Sequence, residues 1–287
     1  MSDTEFASPC DLTISFVLYR TAIDEVVTAV RQVLDEPGLN VALVIVDNSV
    51  PPLILPEFEP SRVRVIATGS NLGYGRAHNI AIAELVGRAP FHIVMNTDVR
   101  YEQGALIGMI NFMQRYPGTG LAMPKVVYPD GSIQTLCRLL PTPFDLIGRR
   151  FLRWTLWGRQ RERRYEMQDW AYDKVASFPF LSGCFMMIDT AVLARTGGFD
   201  KRYFLYAEDL DLSRRLYQES DALFNPAVTV IHEYRGKQGV SLTRLLSLIV
   251  NFGRYFNKWG WVADHERSKI NEATLAALAH DETPIRG

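Results

Sequence analysis

The sequence predicts an α/β fold, an open and mainly parallel central sheet flanked by helices, followed by a C-terminal helical extension. Three observations lead there. Apolar runs of strand length alternate with helical periodicity through the first half of the chain. Leu12–Leu18 and Val41–Val46 are almost wholly apolar, as in strands buried on both faces of a parallel sheet. The segments after residue 240 lack strand character: Ser241–Trp259 is amphipathic, and the stretch from Asp264 turns polar and then alanine-rich.

The elements follow in order. After the strand Leu12–Leu18, Asp24–Leu34 has helical spacing and stops at Pro37-Gly38. Val41–Val46 is the second strand, Pro51–Pro60 a proline-rich loop, and Arg62–Ala67 the third strand. Gly73–Leu85 reads as a helix, Phe91–Met95 as a strand, and Gln103–Arg115 as a helix ended by Pro117-Gly118. Pro129-Asp130-Gly131-Ser132 marks a turn, and Phe144–Arg164 is dense in arginine and aromatics. Phe178–Ile188 reads as one strand, Glu208–Tyr217 as a short helix and Ala222–Ile231 as a strand. The expected organisation is an α/β domain over 1–240 and a helical extension over 241–287 packed on or beside it.

Composition bounds the function. With 287 residues, the chain can bury roughly three-quarters of the surface it exposes when unfolded. Its 47% hydrophobic and 22% charged residues exclude a disordered or collagen-like chain. Lys+Arg 31 against Asp+Glu 32 gives a net charge of -1, which argues against a nucleic-acid partner. Cys10, Cys137 and Cys184 have no metal-type spacing and suit reduced thiols. The start, MSDTEFASPCD, lacks the basic and apolar regions of a signal peptide, and no apolar run reaches the roughly 18 residues of a spanning helix. A cytoplasmic protein is the expectation, soluble or lying on the inner face of the cell membrane.

Open α/β sheets bind ligands beyond the carboxyl ends of their strands. Asp47 ends Val-Ala-Leu-Val-Ile-Val, and Asp98 follows His-Ile-Val-Met-Asn-Thr. Each could also simply cap the next turn. Between them, Asn71-Leu72-Gly73-Tyr74-Gly75-Arg76-Ala77-His78-Asn79 offers glycines for close backbone approach and a helix N-terminus for phosphate, with Arg76 as a further anion contact. It lacks the third glycine of a dinucleotide fingerprint. Glu208 and Asp209 are adjacent carboxylates at a helix start and a source of a general base. Asp211 and Arg215, four apart, read as a structural ion pair. His232 follows an apolar run and is a neutral ligand for a divalent cation or an ordinary hydrogen-bonded histidine.

Taken together, VIVDNS (44–49), NLGYGRAHN (71–79), MNTDV (95–99), FLSGCFMMI (180–188), GGFD (197–200), YAEDLDLSRR (206–215) and His232 resemble family-two glycosyltransferases of the Rossmann-like GT-A fold, on their bacterial rhamnosyltransferase-like branch. The resemblance spans roughly residues 10 to 235. It implies an inverting, metal-dependent hexosyltransferase. Asp47, Asn71, Gly73, Arg76, Asn79, Asn96 and Gly183 would bind or shape the pocket for a nucleotide-diphospho-sugar. Asp98 and His232 would hold Mg2+ or Mn2+, Asp209 would be the base, and Glu208 is the second choice. The DXD-type motif is here Asn96-Thr97-Asp98 with one carboxylate, which can suffice because magnesium binds through one or two carboxylates plus substrate phosphates. No Gln-x-x-Arg-Trp follows the Glu-Asp pair, so one sugar per encounter is expected.

The implied donor is dTDP-L-rhamnose, with UDP-galactose and UDP-GlcNAc as same-fold alternatives. The implied acceptor is a saccharide or lipid-linked saccharide of O-antigen-type lipopolysaccharide synthesis. A non-catalytic nucleotide-sugar binder and a nucleotidyltransferase are the rivals; Leu18-Tyr19-Arg20-Thr21, without glycine, counts against the latter. The arginine and tryptophan of 149–164 and the apolar stripe of 241–262 leave three readings open: an anionic membrane surface, a homo-oligomer interface, or core.

Overall fold

The computed structural model describes residues 6, 9–233 and 242–280. The boundary at 240/241, Ser241, and the side chains of Arg149, Arg150 and Phe151 lie outside the described residues. The first half contains β1 (Leu12–Leu18), α1 (Ile23–Leu34), β2 (Val41–Asp47), β3 (Val63–Ala67), α2 (Tyr74–Leu85), β4 (Phe91–Met95), β5 (Val99–Tyr101), α3 (Ala105–Arg115) and β6 (Thr119–Val127). Then come β7 (Cys137–Arg138), α4 (Pro143–Phe151), α5 (Leu156–Tyr165), β8 (Ala176–Ser177), β9 (Phe180–Leu181), β10 (Phe185–Asp189) and α6 (Thr190–Thr196). The chain closes with α7 (Glu208–Glu219), β11 (Asp221–His232), α8 (Leu242–Trp259) and α9 (His265–Ala279).

The main sheet runs β3-β2-β1-β4-β10-β6-β11-β5, with β8 also on β11; β7 and β9 form a small second sheet. From β3 to β4 all pairing is parallel; α1 crosses from β1 to β2 and α2 from β3 to β4, while a proline-rich loop joins β2 to β3. β2 is buried at every residue because it lies between two strands and under helices, whereas the edge strand β3 alternates. Beyond β4 the sheet is mixed. β10 pairs antiparallel with β4 and β6, and β11 runs parallel to β6 and antiparallel to β5.

Several elements differ from the sequence reading. Phe178–Ile188 is not one strand but β9 and β10, separated by the turn at Gly183-Cys184. β6 carries Pro124 and Lys125, which mask it as a strand; Pro124 pairs with Asn225 beside a register irregularity in β11, where a missing donor costs little. Residues 144–164 form the hairpin of α4 and α5.

The two C-terminal helices pack on the sheet domain. Tyr255 and Phe256 of α8 join Tyr203, Leu210, Phe180 and Leu140 in one buried cluster. Asp211 binds Arg215 as the (i, i+4) spacing suggests, and also takes Lys258 and the Trp259 indole N–H from α8. Arg214, buried, makes a bidentate pair with Asp264 at 2.7 and 2.9 Å, tying α7 to the start of α9. All three cysteines are buried, and none forms a disulfide. Among the described residues no helix is long and apolar enough to cross a membrane.

Candidate active site

At the carboxyl end of β2, Asp47 is buried, and its carboxylate accepts from the amides of Ser49 (2.8 Å) and Leu53 (2.6 Å), shaping the loop beyond. Asn48 reaches across to the Gly73 carbonyl at 3.1 Å. Asn71 accepts from the Gly73 amide within its own turn. Gly73 has φ +85°, and a Cβ there would lie 2.1 Å from the Phe204 carbonyl oxygen, so only glycine allows this approach. Asn79 bonds both the N–H and the C=O of Phe199, and Arg76 donates to the Lys201 carbonyl. Asn79 and Arg76 thus hold the 197–204 loop; neither is turned wholly to a ligand.

The second group gathers where β4 ends and β11 finishes. The antiparallel register of β5 and β11 sets His232 opposite Val99, so its Nε2 lies 3.3 Å from the Asp98 carboxylate. Gln134, buried, donates from Nε2 to the His232 carbonyl at 2.8 Å, which turns its Oε1 toward His232 Nδ1 at 2.9 Å. Nδ1 therefore carries a proton and donates it. In a neutral ring Nε2 then presents its lone pair to Asp98. Two such electron-rich atoms repel unless positive charge lies between them. Two adjacent octahedral ligands at ~2.1 Å from an ion would stand about 3.0 Å apart, so the pair fits a cation such as Mg2+ or Mn2+. Among the described residues no three His, Cys, Asp or Glu side chains converge as a metal cage, so the remaining ligands would come from substrate and water. Burial alone would raise the Asp98 carboxyl; His232, when its ring is positively charged, and Arg100 outweigh it and hold it below the usual value, and a cation between the pair would act in the same direction.

The third group is Glu208 and Asp209. Tyr206 and Ala207, immediately before them, adopt φ +71° and +66°, a left-handed conformation costly for side-chain-bearing residues. Asn251 of α8 holds this loop, accepting from the Phe204 amide and donating to the Leu205 carbonyl. Asp209 accepts from the Gly183 amide at 3.0 Å and from the Leu210 amide at 2.8 Å. A Cβ on Gly183 would crowd the Asp209 Cβ at 3.0 Å. Burial raises both carboxyls; Glu208, with buried Oε2 lacking any partner and with Asp209 beside it, is pushed up to about 8. Near neutrality Glu208 holds the proton, and Asp209, bonded by two amides, is the ionised member.

Tyr74 joins the last two groups. Its hydroxyl lies 3.0 Å from Asn96 Oδ1 and 2.7 Å from the Gly183 carbonyl. Asn96 in turn points Nδ2 at His232. Sequence reasoning missed Tyr74, Gln134 and Arg138, whose charge is felt by Asp209 and which lies against the rings of Tyr165 and Phe180. Tyr74 stood inside a noted motif; Gln134 and Arg138 sat in a segment with no motif. Two surface grooves, of about 430 and 560 Å3, are lined by none of Asp98, Glu208, Asp209 or His232.

A family model for glycosyl transferase family 2 matches residues 17–195, which include the strand-end acids and Gly183. The chain belongs to this family. An N-acetylglucosaminyl-diphospho-decaprenol L-rhamnosyltransferase of Mycobacterium tuberculosis (strain CDC 1551 / Oshkosh) is 32% identical over 182 residues, 59% of this chain and 58% of that protein. The chain thus matches less than two-thirds of that relative's length. Two solved structures share the fold. GalNAc-T7 with UDP, GalNAc and Mn2+ has a TM-score of 0.62 at 13% identity, covering 96% of this chain and 55% of that one. Mannosyltransferase PcManGT from Pyrobaculum calidifontis, in complex with GDP-Man and Mn2+, has a TM-score of 0.55 at 14% identity, covering 96% of this chain and 76% of that one. The family-2 chain therefore has the GT-A fold, and its candidate site lies at strand ends and the loops beyond them.

Proposed function

We propose that this protein is an inverting glycosyltransferase that moves L-rhamnose from dTDP-L-rhamnose onto a lipid-linked saccharide in bacterial surface polysaccharide assembly of the O-antigen type. The observation that carries the reading is the link through Tyr74, which joins a cation-ready pair, Asp98 and His232, to a buried carboxylate pair, Glu208 and Asp209. The curated relative's lipid-linked acceptor and L-rhamnosyl product support the choice of acceptor and sugar. Residues 1–240 form the catalytic domain in this reading and 241–287 a helical extension, and the enzyme works as a peripheral protein at the inner face of the cell membrane.

Asp98 and His232 would hold Mg2+ or Mn2+, which when bound neutralises the charge that develops on the departing nucleoside diphosphate. Gln134 keeps the His232 proton on Nδ1, leaving Nε2 as a donor atom. Asp47 and the 71–79 turn shape the nucleotide pocket. Asp209 accepts the proton of the acceptor hydroxyl as that oxygen bonds the anomeric carbon. The bond from that carbon to the diphosphate breaks, and the leaving group takes the electron pair. Attack opposite the leaving group inverts the centre. Burial makes Asp209 a better base than a solvated aspartate, and Glu208, kept neutral, adds no second charge.

The test is a donor panel of dTDP-L-rhamnose, UDP-galactose and UDP-GlcNAc, assayed for nucleoside diphosphate release with an N-acetylglucosaminyl-diphospho-lipid. Release with dTDP-L-rhamnose alone supports the reading. Release with another donor moves the donor assignment, and donor binding without any release makes the protein a nucleotide-sugar binder.

A further inference from the structure

Two helical elements that the proposed reaction leaves unused turn large apolar side chains to solvent. On the α4–α5 hairpin these are Phe144, Ile147, Trp154, Leu156 and Trp157, with Trp154 76% and Leu156 72% exposed. On α8 and the turn after it they include Leu246, Ile249, Trp261 and Val262. The elements are neighbours. Leu146 of α4 packs on the cluster that contains Phe256 of α8, with Phe252 packed there too. The buried Arg267 guanidinium binds the Pro141 carbonyl just before α4 and the Trp261 and Val262 carbonyls just after α8.

Charge distinguishes this face from the rest of a nearly neutral chain. Residues 143–165 hold Arg149, Arg150, Arg153, Arg159, Arg161, Arg163 and Arg164 against two acids, Asp145 and Glu162, in a protein of net charge -1; Asp145 pairs with Arg161, and Arg163 with Asp169 just beyond the hairpin. Glu162 is buried against Arg153. Arg161 lies over the rings of Phe144 and Trp157 at 5.7 and 5.0 Å, and Arg153, Arg159, Arg163 and Arg164 are exposed. The opposite side of α8 carries Asn251, which holds the loop leading into Glu208 and Asp209.

We propose that the α4–α5 hairpin and α8 form a face that docks on an anionic lipid surface, setting the Glu208–Asp209 end of the site beside an acceptor held in the membrane. Tryptophan and leucine enter the headgroup boundary while arginines meet lipid phosphates. A two-fold dimer through the same face would set one arginine-rich patch against its own copy, so charge favours lipid over a second subunit. The benefit of docking rests on the lipid-linked acceptor proposed above; docking itself needs no acceptor.

The experiment is co-sedimentation of the full chain with phosphatidylglycerol vesicles and with phosphatidylcholine vesicles. The chain should bind the anionic vesicles at low salt, leave them at high salt, and ignore the zwitterionic ones. Replacing Trp154 and Leu156 together with Ser should weaken binding about tenfold or more, since each buries apolar surface only on the membrane. Arg159→Glu and Arg164→Glu should each cost about fivefold or more. These side chains are exposed, so the melting temperature should hold, as should transfer to a short-chain, detergent-free acceptor. That second readout separates failure of docking from failure of the transferase reading. Absence of binding to phosphatidylglycerol at low salt, or binding that all these variants retain, overturns the proposal. So does a dimer in light scattering that the Trp154/Leu156 variant dissolves, which would give the face to a second copy.

Discussion

The two sides of the sheet are built differently. From β3 to β4, apolar strands pair in parallel under α1 and α2, around one buried polar network of Thr13, Ser15, His78 and His92. From β10 to β5, strand direction changes and long-range side-chain bonds do the positioning: Gln134 on His232, Tyr74 on Gly183, Asn251 on the strained Tyr206–Ala207 loop. The irregular side holds its acids through polar contacts from distant segments. Substitutions there should separate chemistry from stability.

The largest effect expected is at Asp98. Asp98→Ala should lower turnover about a thousandfold, because the leaving group would lose its cation, and EDTA should do the same to the unchanged protein. Full turnover in EDTA would assign charge neutralisation to arginine or lysine instead. Asp209→Asn comes next: it keeps the shape and the Leu210 contact but removes proton acceptance, and turnover should fall about a hundredfold or more with donor affinity unchanged. A variant with lower melting temperature and normal turnover would reduce Asp209 to a helix-start residue.

The remaining contrasts are in stability. Asp264→Ala leaves the buried Arg214 charge without its bidentate partner and should cost about 3–5 kcal/mol, read in urea denaturation. Asn251→Ala strands two backbone groups of the loop before Glu208 and should cost about 1–3 kcal/mol. Its turnover should fall more than the Asp264 variant's, measured well below either transition. Glu208→Gln changes the pH slope of stability and leaves its low-pH value nearly unchanged. Burial raises this carboxyl to about 8, so the folded state holds a proton that the unfolded state releases near its ordinary value of 4.5. Folded stability is therefore complete below that ordinary value and declines as pH climbs toward 8. The Gln variant should flatten that decline and be the more stable form at pH 8; an unchanged slope would mean that Asp209 holds the proton.

Much of the scaffold was legible because its strands are continuous apolar runs: β1 and β4 keep the bounds read from sequence, and β2 gains only Asp47. The motif acids were legible as strand ends and helix starts. Their partners were not legible in the spacing; only the family resemblance set His232 with Asp98. His232 meets Asp98 through the antiparallel pairing of β5, a strand of Val99–Tyr101 too short to leave a periodic signal. Gly183 reaches Asp209 because Phe178–Ile188 breaks into two strands, a break that an apolar run conceals. Asn79 and Arg76 read as ligand contacts, yet their side chains hold Phe199 and Lys201, because a glycine-rich turn that can approach a phosphate can equally approach backbone.

The most direct test of the two-ended site sets donor binding beside turnover in three proteins. Binding of dTDP is measured by calorimetry with and without Mg2+, and turnover by nucleoside diphosphate release, for the unchanged chain, Asp98→Asn and Asp209→Asn. The account predicts that Asp98→Asn loses both the Mg2+-dependent part of binding and turnover, while Asp209→Asn binds as the unchanged chain does and fails to transfer. Equal Mg2+-dependent binding in Asp98→Asn, or near-normal transfer by Asp209→Asn, would contradict it.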